Sequence, residues 1–247
     1  MRYFLEFSYN GAAYHGWQNQ PKAISVQEVL EKALSTVLRT DISITGAGRT
    51  DAGVHARQMF AHFNIALDVE DDLVYKLNSF LPKDIAIRAL HAVKEDAHAR
   101  FDASSRTYEY WIVTKKNPFL TEVAYLVHHP LDVEKMNEAA KVLYDYEDFK
   151  CFSKSNTDVK TYLCKLMNAH WEWKNDVIVF TIQADRFLRN MVRAVVGTLL
   201  EVGKGKIEVQ DVRTIVESRN RSKAGVSVPG HALYLTKVEY PYIDINE

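Results

Sequence analysis

The residues best suited to chemistry lie in one glycine-rich segment, residues 46–56, between two apolar runs. Glycines at positions 46, 48 and 53 allow positive φ angles and let another molecule approach the backbone closely. Asp51 stands among them and supplies a carboxylate, which can act as a nucleophile on a bound substrate. The segment therefore predicts a loop that presents Asp51 to a ligand.

Two other interpretations of this segment are simpler. A dinucleotide-binding loop requires the spacing GxGxxG before a helix, whereas the spacing here is GxGxxxxG and the following residues alternate as a strand does. Both observations argue against that interpretation. An Asx turn, in which Asp51 only bonds its own backbone, stays open on the residues alone.

Composition limits the class of protein. The chain has 247 residues and a formal net charge of -1, with 47% hydrophobic residues and no apolar run near the roughly 18 residues of a membrane span. Two cysteines, Cys151 and Cys164, form no disulfide framework, and no histidine falls in a metal-ligand spacing. We expect a reduced, cytoplasmic protein without membrane association, metal or cofactor.

Charge is distributed unevenly along the chain. Residues 186–223 contain nine Lys or Arg against four Asp or Glu, whereas residues 131–148 contain two against six. Arg186, Arg189 and Arg193 have the spacing of one helix face, and Arg219 and Arg221 follow. The pattern predicts a face that binds the phosphates of a nucleic acid, unless these arginines pair with surface acids.

Hydrophobic periodicity predicts the elements that carry these residues. The first half has the order β-α-β-β-α-β, with its elements at residues 3–9, 26–37, 42–45, 59–65, 72–80 and 85–93. A capping box at Ser25 begins the first helix.

The second half repeats this order in outline. A strand at 107–114 places Tyr108 and Tyr110 on one face, and Asp132 caps the next helix. A hairpin, two helices and a final strand follow at residues 166–173, 177–184, 187–202, 209–218 and 233–240. The predicted fold class is α+β, with two split β-α-β halves of RRM or ferredoxin-like type, at 1–98 and 99–247, whose antiparallel sheets flank a central cleft.

Residues 48–56 resemble the signature of the TruA family of tRNA pseudouridine synthases. Further blocks resemble that family in order along nearly the whole chain, at residues 9–18, 81–85, 99–110, 148–149, 187–197 and 233–235. One residue and one segment depart from the family pattern. Asn10 replaces an aspartate, and residues 228–232 replace a segment that usually ends in glycine.

The resemblance implies a role for each of five residues. Asp51 would be the nucleophile, and Tyr108 would stack on the target uracil. Arg193 would face the aspartate, Arg49 would help turn the nucleotide out of its stack, and Leu233 would line the pocket. The resemblance further implies a homodimer, no cofactor or metal, and action on uridines 38, 39 and 40 of the tRNA anticodon stem-loop.

The chemistry of uridine isomerisation is consistent with a single carboxylate. The reaction breaks a carbon–nitrogen glycosidic bond, turns the base and rejoins it through carbon, in a site closed to water. Attack on the base at C6, attack on the sugar at C1′ and assistance in loss of a sugar proton all stay open. The rivals are a non-catalytic protein of paired RRM-like halves, which would not need Asp51, and a glycosidic hydrolase, which would need a second carboxylate.

Overall fold

The computed structural model describes residues 1–66, 69–155 and 159–243. Within these ranges the strands are β1 (Arg2–Tyr9), β2 (Thr45–Gly46), β3 (His55–Asn64), β4 (Ile85–Val93), β5 (Ser105–Val113), β6 (Tyr125–Leu126), β7 (Leu166–Lys174), β8 (Val177–Ala184) and β9 (Leu233–Glu239). The helices are α1 (Val26–Leu38), α2 (Leu73–Phe80), α3 (Val133–Val142), α4 (Met191–Gly203) and α5 (Val209–Glu217).

The chain divides into two compact units. The first unit contains Met1–Ser104 together with Tyr234–Glu247, and the second contains Ser105–Leu233. The sequence pattern instead placed all residues after 98 in one half. The difference arises because β9 pairs with β3 in parallel and so returns the chain to the first unit.

In the first unit, β1 lies between β3 and β4 and is antiparallel to both. Phe4, Leu5 and Phe7 of β1 are fully buried, so this strand is covered on both faces rather than on one. Helix α1 begins as predicted, because the Ser25 side chain accepts a hydrogen bond from the Glu28 backbone N–H. The two residues of β2 pair with His62 and Ala61 of β3, and the Asp51 loop joins the end of β2 to the start of β3.

In the second unit, β8 lies between β5 and β7 in an antiparallel arrangement, and β6 pairs in parallel with β5. The hairpin between β7 and β8 turns at Asn175, whose φ of 55° suits the left-handed region that asparagine tolerates. Helix α3 packs against α4, α5 and β7. Thirteen-residue α4 is almost entirely buried and forms the centre of this unit.

The α+β class predicted from the sequence is confirmed, and so is the element order of the first half. The strand predicted at residues 42–45 was wrong, since only Thr45 and Gly46 form β2. The backbone N–H groups of Ile42 and Ile44 donate to side chains of α1, which removes them from strand pairing. In the second half, β6 was not predicted.

The helix predicted at residues 187–202 begins later, at Met191, because Asn190 adopts a φ of 69° that interrupts helical geometry. Arg186 and Arg189 therefore precede α4, and only Arg193 belongs to it. The prediction that the three arginines share one helix face was wrong for this reason. Over the described ranges, none of the helices combines the length and the apolar character needed to cross a membrane.

Replacing Asp132 by alanine tests the predicted helix cap. The Asp132 side chain accepts a hydrogen bond from the Lys135 backbone N–H, 3.0 Å away, at the start of α3. Asp132→Ala should therefore lower the free energy of unfolding by about 1 kcal/mol in urea titrations. Glu138→Ala, a change at an exposed position within α3, is the control and should have little effect. Equal effects of the two changes would contradict the capping role.

Candidate functional site

Asp51 is half-buried in the loop between β2 and β3, and backbone contacts fix the residues around it. The Thr50 carbonyl oxygen accepts a hydrogen bond from the Trp17 N–H at 3.3 Å, and the Gly53 N–H donates to the Tyr14 carbonyl at 3.2 Å. The hydroxyl groups of Tyr9 and Thr50 are 2.9 Å apart. The segment after β1 therefore holds the chain on both sides of Asp51.

Gly16 makes this close approach feasible. Its φ is +91°, and a Cβ atom at this position would lie 2.3 Å from the Thr50 carbonyl oxygen. Any side chain would push the two backbone segments apart, since both contacting groups are backbone. Sequence reasoning named residues 9–18 as a family block but did not identify this packing role.

Tyr14, Asp84 and His55 complete the support of the loop. The Tyr14 hydroxyl donates to the Asp84 carboxylate at 2.7 Å, and burial together with this bond raises the pKa of Tyr14 far above its ordinary value. The His55 ring accepts the Gly11 N–H at Nδ1 and stacks on Tyr234 with centroids 4.7 Å apart. These side chains support the position of the loop. The sequence pattern assigned none of them a role.

Asn10, which replaces the aspartate of the family pattern, still caps a short helical turn. Its side-chain oxygen accepts the Ala12 N–H at 3.0 Å and caps the short helical turn Gly11–Ala13. Asparagine and aspartate both serve as caps, so the substitution leaves this turn intact. Arg49, two residues before Asp51 in the loop, is exposed.

The second unit carries Tyr108, Arg193 and Leu233. Tyr108 lies in β5, half-buried, with its ring edge-on to Phe187 at a centroid distance of 5.2 Å. Leu233 is buried directly after the helical turn Gly230–Ala232. Tyr110 lies in β5 two residues after Tyr108, and its hydroxyl donates a hydrogen bond to the Pro229 carbonyl at 2.9 Å.

Arg193 lies in the first turn of α4, where a second segment of the unit holds it. Its Nε donates to the Val228 carbonyl at 2.6 Å, and the Val228 N–H donates back to the Arg193 carbonyl at 3.2 Å. This reciprocal pair restricts the direction of the guanidinium group. The segment at 228–232 that departs from the family pattern therefore contacts Arg193 directly.

Residues 224–228 form a strap, which packs its backbone onto α4. A Cβ atom on Gly197 would lie 1.9 Å from the Val226 carbonyl oxygen, so only glycine permits this contact. Hydrogen bonds add to it, with the Gly225 N–H donating to Thr198 and the Asn190 amide donating to Ser227. The sequence signal for this packing was the pair Val196–Gly197 in a family block, and sequence reasoning did not use it.

The arginines predicted to bind RNA differ in their surroundings. The Arg186 guanidinium donates to the carbonyls of Thr161 and Leu163, while Arg189 is exposed. Arg219 is exposed and pairs with a carboxylate, that of Asp148, at 3.1 Å.

Arg221 bonds within its own unit. Its guanidinium donates to the Ala224 and Gly225 carbonyls and to the Ser227 hydroxyl, at 3.4, 3.1 and 2.7 Å. These bonds hold the strap, so replacing Arg221 by alanine would also disturb the segment that contacts Arg193.

The two cysteine thiols of the chain are free and buried. Burial raises the pKa of the Cys151 and Cys164 thiols to about 12, which keeps both protonated at neutral pH. Among residues 1–66, 69–155 and 159–243, no three histidine, cysteine or acidic side chains are grouped as a metal site would require.

Comparison with known proteins defines the class of this chain. A sequence model of the family described as tRNA pseudouridine synthase matches residues 7–102 and 139–241. The chain belongs to this family. It is therefore an isomerase that converts uridine to pseudouridine in tRNA.

Individual relatives match along nearly the full length. A protein named tRNA pseudouridine synthase A from Bacteroides fragilis is 59% identical over 244 residues, which cover 97% of this chain and 96% of the relative. A protein of the same name from Parabacteroides distasonis is 55% identical, with 97% and 96% coverage. In Clostridium perfringens, tRNA pseudouridine synthase A 2 is 39% identical, with 96% and 98% coverage.

Gly16→Ala tests the packing that holds the Asp51 loop. The added methyl group meets the Thr50 carbonyl and the backbone must leave a left-handed conformation, so stability should fall by roughly 1–3 kcal/mol. If the Asp51 carboxylate takes part in the reaction, its displacement by about 1 Å should also reduce isomerisation on the order of 100-fold.

Gly48→Ala is the matched control for stability, because a Cβ atom there meets nothing within 4 Å. Its free energy of unfolding should stay within about 0.5 kcal/mol of the native value. Thermal and urea unfolding of both variants provide the comparison. A Gly16→Ala variant as stable and as active as the native enzyme would refute the packing role.

Proposed function

We propose that this enzyme isomerises uridines 38, 39 and 40 in the anticodon stem-loop of tRNA, with Asp51 as the nucleophile. Family membership supports the reaction class, and the resemblance of residues 48–56 to the family signature supports the residue. The observation that carries the proposal is the loop around Asp51. Backbone bonds from Tyr14 and Trp17 hold this loop, which suits a carboxylate that must keep one position during a reaction.

The proposed reaction balances without an external reagent. The C1′–N1 bond of uridine breaks, the uracil ring turns, and a C1′–C5 bond forms. The proton on C5 leaves, and N1 of the product carries a proton. Asp51 forms a transient bond to the base or the sugar, or assists loss of a sugar proton, and is regenerated. We propose that no metal or cofactor takes part, because the carboxylate supplies the reacting group.

Four further residues are proposed to assist Asp51. Tyr108 would stack on the uracil ring, and Arg193 would compensate the negative charge of the carboxylate. The bonds of Arg193 to Val228 support a fixed role, since they restrict its side chain. Arg49 is exposed, as a residue that displaces a nucleotide from its stack must be, and Leu233 would line the pocket.

We further propose that the enzyme works as a cytoplasmic homodimer. The cytoplasmic location is inferred from the cysteine content and the dimer from the family resemblance, and light scattering of the purified protein tests the dimer. The alternative of a non-catalytic RNA-binding protein is excluded by membership of an enzyme family.

Asp51→Asn tests the nucleophile. Asparagine keeps the size and turn-forming capacity of aspartate but lacks its charge, so tRNA should still bind while activity falls on the order of a thousandfold or more. Release of tritium from 5-tritiated uridine in unmodified tRNA, with a chelator present, measures activity, and filter binding measures affinity. Mapping of the pseudouridines in the product identifies the positions modified.

Asp41→Asn is the control for the change of charge, because Asp41 is an exposed residue of the same unit. It should leave activity unchanged. If Asp51 were only an Asx-turn residue, the asparagine variant would retain both activity and stability. An active Asp51→Asn enzyme would therefore end the catalytic assignment.

Substitutions of Tyr108 separate stacking from proton transfer. Tyr108→Phe keeps the ring and should retain most activity, whereas Tyr108→Ala should lose about 1–3 kcal/mol of stacking free energy with the base. That loss corresponds to roughly 5- to 150-fold in kcat/KM. Steady-state kinetics on tRNA distinguish the two. Equal losses in both variants would show that the hydroxyl, rather than the ring, is required.

A further inference from the structure

A basic pocket of about 580 Å³ lies in the second unit, apart from the residues proposed for catalysis. Its cationic lining residues are Lys150, Lys154, Arg219 and Arg221, and Tyr162 forms part of its wall. The other lining side chains carry hydroxyl or amide groups, and none of the described residues that line the pocket is a carboxylate. The Asp148 carboxylate bonded to Arg219 compensates one of the four positive charges. The pocket therefore keeps a local excess of positive charge.

Hydrogen bonds fix the walls of this pocket in advance. Asn220 caps the turn at Ser222 through its side-chain oxygen, at 3.0 Å from the backbone N–H. Arg221 holds the strap through three donated bonds. The Lys150 ammonium lies 5.4 Å from the centroid of the Tyr162 ring. A preformed site loses little conformational entropy when a ligand binds. The fixed walls therefore indicate a binding site rather than a chance cluster of lysines.

The pocket is bonded to a residue that the sequence predicts to bind RNA, Arg189. The Lys154 backbone N–H donates to the Arg189 carbonyl at 3.0 Å, so the wall of the pocket lies against the segment that precedes α4. Arg189 is exposed beside it. Cations, hydroxyl groups and an amide in one pocket match the phosphate and sugar oxygens of an RNA backbone.

We propose that this pocket is a subsite for the tRNA sugar–phosphate backbone, with Lys150 and Lys154 as its main phosphate-binding residues. The proposal rests on tRNA being the substrate and is independent of the role of Asp51. The two lysines are better suited to a test than the two arginines of the pocket. Replacing Arg221 would disturb the strap, and replacing Arg219 would leave Asp148 without its ion pair. Lys150 and Lys154 are exposed and line the pocket.

The test is the double variant Lys150→Ala/Lys154→Ala, assayed on full-length tRNA as a function of salt. If one phosphate is no longer neutralised, KM should rise about eightfold at about 0.1 M monovalent salt, and if two are not, about sixtyfold. The slope of log affinity against log salt should decrease in magnitude by about 0.9 for each of these phosphates. The rate at saturating tRNA, kcat, should stay unchanged, because neither lysine is assigned to the reacting atoms.

Lys115→Ala/Lys116→Ala is the matched control, since it removes two exposed lysines of the same unit that do not line the pocket. It should change KM and the salt slope much less. Equal effects of the two double variants would mean that only net charge matters and would overturn the proposal. An unchanged KM in the Lys150→Ala/Lys154→Ala variant would also overturn the proposal. This outcome does not depend on the result for Asp51→Asn or on which uridines the product map identifies.

A second measurement separates RNA from a free anion. Inorganic phosphate is titrated into the native enzyme and the Lys150→Ala/Lys154→Ala variant, with thermal unfolding as the readout. Phosphate stabilisation that the variant loses, without any change in KM for tRNA, would identify a small-anion site and contradict the backbone assignment. A raised KM with a reduced salt slope supports the tRNA subsite.

Discussion

The placement of Asp51 depends on the close approach of two backbone segments. Trp17 and Tyr14 bond to the loop on either side of the carboxylate, and Gly16 leaves room for the Thr50 carbonyl. These are contacts of the main chain, so they fix the position of the loop backbone on both sides of Asp51. A loop held in this way takes its position from the neighbouring sheet, as a rigidly placed functional site requires.

In the second unit, a close backbone contact likewise positions Arg193. Glycine at position 197 lets the strap lie directly on α4, and the strap then provides the carbonyl that accepts the Arg193 Nε. The same strap bonds to Arg221, so a residue that the charge pattern assigned to RNA contact also supports a proposed active-site residue. A charge count alone cannot separate these two roles, since it does not record where a guanidinium donates its hydrogen bonds.

Sequence reasoning predicted most elements of the fold because their hydrophobic periodicity and caps are local. It placed α1 at Ser25 and the cap of α3 at Asp132, and both are observed. It failed at residues 42–45 and at the start of α4, where side chains of α1 and the left-handed Asn190 decide the conformation. The Asp51 loop was recognised from glycine spacing and family resemblance, whereas its support from Gly16 is a long-range contact without a local pattern.

The return of β9 to β3 has a consequence for synthesis of the chain. The second unit, 129 residues from 105 to 233, is inserted into the first, whose sheet lacks β9 until translation has passed it. At about 5–20 residues per second, the ribosome needs roughly 6–26 seconds to supply that strand. During this interval the edge of β3 that pairs with β9 lacks its native partner. The sequence of the inserted unit, in contrast, is already complete when β9 is made. Vectorial synthesis therefore favours completion of the Arg193 unit before the Asp51 unit.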